Sequence, residues 1–277
     1  MRDVAELSVL WDLCEGARRE GRTVSLVPTM GALHAGHASL MDAAAPDSFC
    51  VVSVFVNPLQ FGAGEDLDRY PRTLDADRAL CASHGVDALF APAPNAVFPD
   101  GFSSQVRVGG LTDRLEGVHR PGHFDGMTTI VAKLFGMVGK STAYFGQKDY
   151  QQLQIVKRMA RDLNLPIKIV GCPIVREDDG LARSSRNRYL SPDERARALS
   201  LSRGLAAAES LWAKGIRDRS TLEHAALEPV EAAADRVDYV EAVHPESLEP
   251  YTGGPRCVVL VAAHVGSTRL IDNRVLD

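Results

Sequence analysis

The segment Pro28-Thr-Met-Gly-Ala-Leu-His34-Ala-Gly36-His37 carries more chemical information than any other stretch of this chain. It follows an apolar run at 24–27 and leads into Ala38-Ser-Leu-Met-Asp-Ala-Ala, which has the composition of a helix. Two histidines three apart in a first helical turn share a face and point at whatever the helix N-terminus binds. That terminus carries unpaired N–H groups and a partial positive charge, so its natural guest is an anion. Gly36 lacks a Cβ and lets a flat group press against backbone. Strand, glycine and paired imidazoles together read as a nucleotide site, with glycine for the base and ring N–H donors for phosphate. Histidines at this spacing also occur as ordinary surface or core residues. The preceding strand and a second cluster favour the nucleotide.

That second cluster is Ala143-Tyr-Phe-Gly146-Gln147-Lys148-Asp149-Tyr-Gln-Gln152, again strand, glycine turn and helix. A cation at a helix start is slightly unfavourable in itself. Lys148 is therefore either a solvated lysine or a group placed to meet phosphate oxygens. Asp149 suits an N-cap equally well. A third stretch, Glu177-Asp-Asp-Gly-Leu-Ala-Arg183-Ser184-Ser185-Arg186-Asn187, sets adjacent serines between arginines in a glycine-containing loop. Such a loop can wrap a triphosphate, or serve as a polar linker between domains.

The elements that must position these groups alternate. Runs at 24–27, 51–56, 88–91, 143–145 and 167–170 read as strands, several continuously apolar, as in a parallel sheet covered on both faces. Helices are expected from Thr73, as N-cap, to Gly85, and over 126–138 and 151–163. The alternation predicts an α/β fold, a Rossmann-like doubly wound parallel sheet with ligands at the carboxyl ends of its strands. After about Gly171 the pattern changes. Ser191-Pro-Asp-Glu194 is a capping box with proline at the first helical position, opening a long helix towards Ala213. A second helix from Ser220 precedes β-like runs at 236–243, 257–265 and 268–271. The expected division is a Rossmann-like nucleotide-binding domain over 1–171 and a smaller α+β domain over 172–277.

A chain of 277 residues has room for this core. Its formal net charge of −5 provides no basic field for nucleic acid. The cysteines (Cys14, Cys50, Cys81, Cys172, Cys257) are scattered without a C-x-x-C, which points to reduced thiols and a cytoplasmic location. No signal peptide and no membrane-spanning apolar run is expected, hence no membrane partner.

Six ordered stretches make the chain resemble the pantoate–β-alanine ligase family, the pantothenate synthetases, along nearly its whole length. They are Val27-Pro-Thr-Met-Gly-Ala-Leu-His-Ala-Gly-His37, Val54-Phe-Val-Asn-Pro-Leu-Gln-Phe-Gly62, Arg69-Tyr-Pro-Arg-Thr73, Arg120-Pro-Gly-His-Phe124, Tyr144-Phe-Gly-Gln-Lys-Asp-Tyr-Gln-Gln152 and Ser184-Ser-Arg-Asn187. The family belongs to the His-x-Gly-His nucleotidyltransferase superfamily. The resemblance implies an AMP-forming ligase of coenzyme A biosynthesis that joins (R)-pantoate to β-alanine. Pantoate is first adenylated by ATP, releasing pyrophosphate, and the amine of β-alanine then displaces AMP. Residues 1–171 would bind nucleotide and pantoate, and residues 172–277 would act as a lid.

By the same resemblance, Met30, Gly31, Ala32, Leu33, His34, Ala35, Gly36 and His37 form the first ATP-binding turn, with His37 the proton donor. Gly146, Gln147, Lys148 and Asp149 form the second ATP-binding stretch, joined by Val175, Arg183, Ser184, Ser185 and Arg186. Gln60 touches pantoate and β-alanine, and Gln152 touches pantoate. His34, His37 and Lys148 are the expected catalytic groups. A homodimer is expected from the family alone. Three positions depart from its usual pattern: Arg183 for methionine, Gln147 for glutamate and Ala35 for an acid. Arg183 could change packing beside the adenine or add a phosphate contact.

Adenylation spreads charge over phosphoryl oxygens and leaving group, so the site needs fixed donors rather than a strong nucleophile. Mg²⁺ is expected on the phosphates, with no protein ligand assigned. Asp75 and Asp77 could be outer ligands or simply acids of a first helical turn. Asn57 is either part of the pantoate pocket or an Asx turn before proline. Arg120 and His123 could take the carboxylate of β-alanine or anchor their loop by a salt bridge. Three rival functions remain. A nucleotidylyltransferase that stops after AMP transfer would not need paired Gln60 and Gln152. An aminoacyl-tRNA synthetase fragment would carry a basic tRNA-binding region. A nucleotide-binding regulator could dispense with one of the two histidines or with Lys148.

Overall fold

The computed structural model describes residues 1–62 and 64–277. The chain forms two compact units, residues 1–147 with 155–173, and residues 148–154 with 174–277.

The first unit is built on six parallel strands: β1 (Arg2–Val4), β2 (Thr23–Thr29), β3 (Ser48–Val54), β4 (Ala88–Phe90), β5 (Ser141–Gly146) and β6 (Ile167–Cys172), in the order β1-β4-β3-β2-β5-β6. The chain steps outward from β2 through β3 and β4, then returns to β2's other side with β5. This reversal opens a crevice outside the carboxyl ends of β2 and β5, where doubly wound sheets bind ligands. The helices are α1 (Leu7–Arg19), α2 (Ala35–Ala44), α3 (Leu74–Ser83), single turns α4 (Pro94–Val97) and α5 (Glu116–His119), α6 (His123–Val138) and, from Ile155 on, α7 (Tyr150–Asp162), whose first residues belong to the second unit. Leu40, Met41 and Ala44 of α2 and Cys81 of α3 share one core cluster with Val27, Cys50, Val52 and Leu89 of the strands. Alternation along β2 turns Val24 and Leu26 to the opposite face, and both α1 and α6 pack against that strand. Helices thus cover both faces, as the apolar runs require.

Several details differ from the expectation. Strand β1 has only three residues, two of them charged, and is identified by its backbone pairing with β4. Strand β3 begins three residues earlier and ends two earlier than 51–56. Thr73 precedes α3 but makes no capping bond; its hydroxyl donates to Asp77 Oδ1 at 3.1 Å.

The second unit holds an antiparallel meander, β7 (Arg236–Val243), β8 (Cys257–Val265) and β9 (Thr268–Leu276), with α8 (Pro192–Ala213) and α9 (Arg219–Glu231) packed on it. Leu201, Leu205, Trp212, Leu222, Val230, Val259 and Val261 form its core. The Ser191 capping box is present, with Ser191 N–H donating to Glu194 Oε2 at 2.7 Å. Gly204 lets α8 approach α9, since a Cβ there would lie 2.2 Å from the Ala226 carbonyl oxygen. Strand β9 runs five residues beyond Ile271, through a polar Asp-Asn pair that reads in sequence as a strand end. Among the described residues no helix is long and apolar enough to cross a membrane. All five cysteines are buried free thiols.

Candidate active site

The first turn grows from the carboxyl end of β2. Gly31 (φ 83°) and Ala32 (φ 51°) both take left-handed backbone, which turns the chain sharply into α2. Asp77, buried at the start of α3, stabilises this turn by accepting the N–H of Ala32 at 3.1 Å and of Leu33 at 2.8 Å. A Cβ at Gly31 would sit 3.0 Å from both the Asp77 carboxylate and the Val54 side chain, so glycine is required for fit as well as conformation. Thr29 closes the inner side, its hydroxyl accepting from Gly31 N–H at 3.2 Å and donating to the Ser53 carbonyl at 2.7 Å.

His34 is the N-cap of α2 and His37 its third residue, and they cap the helix reciprocally. His34 Nδ1 accepts the Gly36 N–H at 3.1 Å, and the His34 N–H donates to His37 Nδ1 at 3.2 Å. The rings lie 4.1 Å apart between centroids, inclined by 38°. Because each Nδ1 accepts, the ring proton of both imidazoles resides on Nε2. The expectation of open N–H donors at this helix end needs correction. The N–H groups of Gly36 and His37 are both spent on His34, the latter on its carbonyl at 2.8 Å. The ring N–H groups are therefore donors that the turn offers beside the remaining backbone.

Gln60 stands at the carboxyl end of β3, in the one-turn helix Pro58–Gln60. Asn57 builds that turn, accepting the Leu59 N–H at 3.2 Å and donating to Gln60 Oε1 and to the Gly126 carbonyl, each at 3.0 Å. Asn57 is thus both an Asx turn and the residue that aims Gln60. The Gln60 amide donates to Met30 Sδ at 3.0 Å, which brings it against the first turn. Gly126 of α6 allows the fit, as a Cβ would lie 2.1 Å from the Leu59 carbonyl oxygen.

Of the two readings of Arg120 and His123, the structure shows the anchor. Arg120 binds Glu65 through Nε at 2.7 Å and Nη2 at 2.6 Å, and His123 Nδ1 contacts the Gln60 carbonyl at 2.8 Å. Arg120 Nη1 lies 3.1 Å from His123 Nε2 and can only donate to it, so the proton of this ring is on Nδ1. Burial and the neighbouring Arg120 charge push the His123 pKa down to about 4. Burial alone would raise the Glu65 carboxyl, but hydrogen bonds and charge from Arg120 hold it below its ordinary value.

The one-turn helix Gln147–Asp149 leads into α7, with Lys148 and Gln152 half-buried and Asp149 exposed. In the second unit, residues 175–183 form a small hairpin. Arg183 N–H donates to the Val175 carbonyl at 2.9 Å, and Arg176 bridges Ala182. Two residues that the resemblance assigns to ATP, Val175 and Arg183, therefore lie side by side. Ser184 caps the short helix Ser185–Tyr189 by accepting the Arg186 N–H at 3.2 Å. Asn187 ties that helix to the hairpin through Glu177 at 3.0 Å and the Ala182 carbonyl at 3.1 Å. The loop is a built structure with its own hydrogen bonds, rather than a linker.

The first-turn acids of α3 are both engaged. Asp75 pairs with Arg78 at 2.6 Å, and Asp77 holds the histidine turn. Among the described residues no three His, Cys, Asp or Glu side chains come together as a metal site. Sequence reasoning missed Asp77 as the support of this turn, and also Glu65. Both have partners distant in sequence, and neither has a local signal.

A family profile described as pantoate-beta-alanine ligase matches residues 2–275. A pantothenate synthetase of Anaeromyxobacter dehalogenans is 52% identical over 269 residues, covering 94% of this chain and 93% of the relative. That of Acetivibrio thermocellus is 46% identical over 280 residues, covering 100% of both. A crystal structure of pantothenate synthetase from Thermus thermophilus superposes with a TM-score of 0.93 at 46% identity, covering 99% of each chain. A Francisella tularensis pantoate-beta-alanine ligase, crystallised with beta-gamma ATP and beta-alanine, gives 0.83 at 30% identity, covering 99% of this chain and 97% of that one.

Proposed function

Because this chain belongs to the pantoate–β-alanine ligase family, we propose that its two histidines, Gln60 and Lys148 carry out the family's reaction in the roles their geometry suits. The enzyme condenses (R)-pantoate with β-alanine at the expense of ATP, giving pantothenate, AMP and pyrophosphate through a pantoyl-adenylate. The observation that carries the assignment of residues is the 3.0 Å contact between the Gln60 amide and Met30. It sets the group suited to an acyl substrate beside the turn suited to a nucleotide.

In the first step a pantoate carboxylate oxygen attacks the α-phosphorus in line, and the bond to pyrophosphate breaks. Gln60 can donate and accept at once, which suits a substrate bearing hydroxyls and a carboxylate. Gln152 does the same from α7. His34 and His37 donate from Nε2 to oxygens that gain charge, and Lys148 balances the departing pyrophosphate. Met30–His37, Gly146–Asp149, Val175 and Arg183–Arg186 bind ATP. In the second step the β-alanine amine attacks the acyl carbon, and AMP leaves. Mg²⁺ would enter with ATP on its phosphates, where it would neutralise charge, with no protein ligand assigned. We place the enzyme in the cytoplasm as a homodimer, a state that sedimentation would verify.

Isotope exchange between pyrophosphate and ATP tests the reading. Exchange should require pantoate and proceed without β-alanine, because the adenylate forms first. Strict dependence on β-alanine would refute the stepwise order.

A further inference from the structure

Two consecutive polar side chains lie buried in the middle of β9, Asp272 at 4% and Asn273 at 2% exposure. Neither belongs to the groups assigned to substrates above. The Asn273 Nδ2 donates to the Lys148 carbonyl oxygen at 2.9 Å. Asp272 forms a bidentate pair with Arg176, at 2.7 Å to Nη1 and 3.0 Å to Nη2, and Oδ1 also accepts the Asn273 N–H at 2.8 Å. Arg176 in turn donates to the Gly180 carbonyl at 3.0 Å, across the hairpin that joins Val175 to Arg183. One dipeptide on one strand therefore grips two separate segments, the turn bearing Lys148 and the hairpin leading to Ser184–Arg186.

An apolar pair would pack this position at lower risk. A buried ion pair returns little net stability, because desolvation of both charges offsets their attraction. What it supplies is geometry. Strand β9 is fixed by continuous antiparallel pairing with β8, in which Asp272 faces Val261 and Asn273 faces Leu260. A short, two-torsion side chain on such a strand holds its partner more firmly than one on a loop. The backbone at Lys148 has just left β5 and is about to enter α7. An external donor to its carbonyl fixes where the lysine side chain starts.

We infer that Asp272 and Asn273 are positioning residues for adenylate formation, Asn273 acting through Lys148 and Asp272 through Arg176 and the hairpin. The inference rests on the reading of Lys148 and the hairpin as ATP-binding groups. It predicts a division of labour. Asn273→Ala should lower the rate of adenylate formation at saturating ATP, by about 10-fold or more, since displacement of a catalytic group by about 1 Å can cost about 10²-fold. Asp272→Asn keeps the shape but weakens the grip on Arg176, and should chiefly raise the KM for ATP.

Single-turnover formation of pantoyl-adenylate, measured across ATP concentrations in the full-length enzyme, reads both effects. Leu276→Val, a core change on the same strand, is the control for simple destabilisation and should leave both parameters near wild type. The deciding comparison is Asn273→Ala in a Lys148→Ala background. There the further loss should shrink to less than about 2-fold, because residues acting through one contact are not additive. Folded Asn273→Ala and Asp272→Asn enzymes with wild-type rate and KM would overturn the inference. So would an undiminished effect of Asn273→Ala in the Lys148→Ala background, which would make Asn273 a structural residue only. A Lys148→Ala enzyme with a normal rate would instead refute the assignment of Lys148 itself, and the role of Asn273 would fall with it. If Asn273→Ala does not fold, Asp272→Asn decides through the KM alone.

Discussion

Acid should loosen the Gln60 turn through His123. His123 is held neutral in the fold, with its pKa pushed from 6.5 down to about 4, by burial first and by Arg120 second. The Gln60 carbonyl and the carboxylates of Glu116 and Glu65 act in the opposite direction and are outweighed. As pH falls through about 6.5 the unfolded chain binds a proton that the folded chain refuses until about pH 4. The associated stability is therefore complete above the unfolded value and lost as pH falls between the two. A shift from 6.5 to about 4 corresponds to about 3.4 kcal/mol in the limit, of which about 2.5 kcal/mol falls between about pH 7.5 and 4.5. The lowered carboxylates, among them Glu65, Glu177 and Asp238, start from ordinary values of 4.5 and 3.8, so their effect begins at the acid end of this window and falls mainly below it. His264 is also lowered, so the measurement must be differential. His123→Asn retains a donor for the Gln60 carbonyl and does not titrate. Urea unfolding of wild type and His123→Asn, followed by circular dichroism at a series of pH values, should give slopes that diverge below about pH 6.5. Wild type should lose about 2.5 kcal/mol more than the variant by about pH 4.5. Parallel slopes would refute the argument.

Two further perturbations address the first turn. Asp77→Asn replaces one acceptor oxygen with an NH₂ facing a backbone N–H, leaving a buried donor unsatisfied at a cost of about 1–3 kcal/mol. Both the melting temperature and the rate of adenylate formation should fall, and an unchanged value for both would show that the carboxylate is incidental to the turn. His37→Ala removes a fixed donor and should slow adenylate formation by about 10²–10³-fold. A near-normal single-turnover rate in the folded variant would remove His37 from the catalytic groups.

What could be read from sequence follows a physical division. Strand-turn-helix punctuation at 24–44 and 143–162 is legible because burial periodicity and glycine placement are local. The meander of the second unit is legible for the same reason. Strand β1 escapes because Arg2, Asp3 and Val4 carry no apolar pattern and owe their conformation to β4. The partners of buried polar groups escape more completely. The histidine-turn partners of Asp77 lie 44 and 45 residues away, and Arg120 reaches across 55 to Glu65. An acid in a first helical turn is locally sufficient explanation for itself, so nothing in the sequence marks Asp77 as the support of another element. Likewise Asp-Asn near the end of a strand reads as its termination, whereas Asn273 is 2% exposed and binds the Lys148 turn, 125 residues away.

The histidine turn explains why a carboxylate must be that support. Left-handed backbone at a non-glycine residue such as Ala32 costs on the order of 1–3 kcal/mol, and Gly31 gives up conformational freedom as well. The N–H groups of Gly36 and His37 in α2 are already engaged by His34 and do not reach this backbone. Two charge-assisted bonds from one carboxylate, each roughly twice as strong as a neutral bond, are of the right size to offset this cost. Their placement also matters. They hold the backbone immediately before His34, so the ring positions are set before any substrate arrives. Reciprocal capping then commits the Nδ1 lone pairs of both rings to the backbone and puts their protons on Nε2. A donor fixed in this way need not reorganise as charge develops on the phosphoryl oxygens, which is the condition for electrostatic stabilisation of a transition state. The chemistry expected of His34 and His37 thus depends on Asp77, a residue that need never touch the substrate.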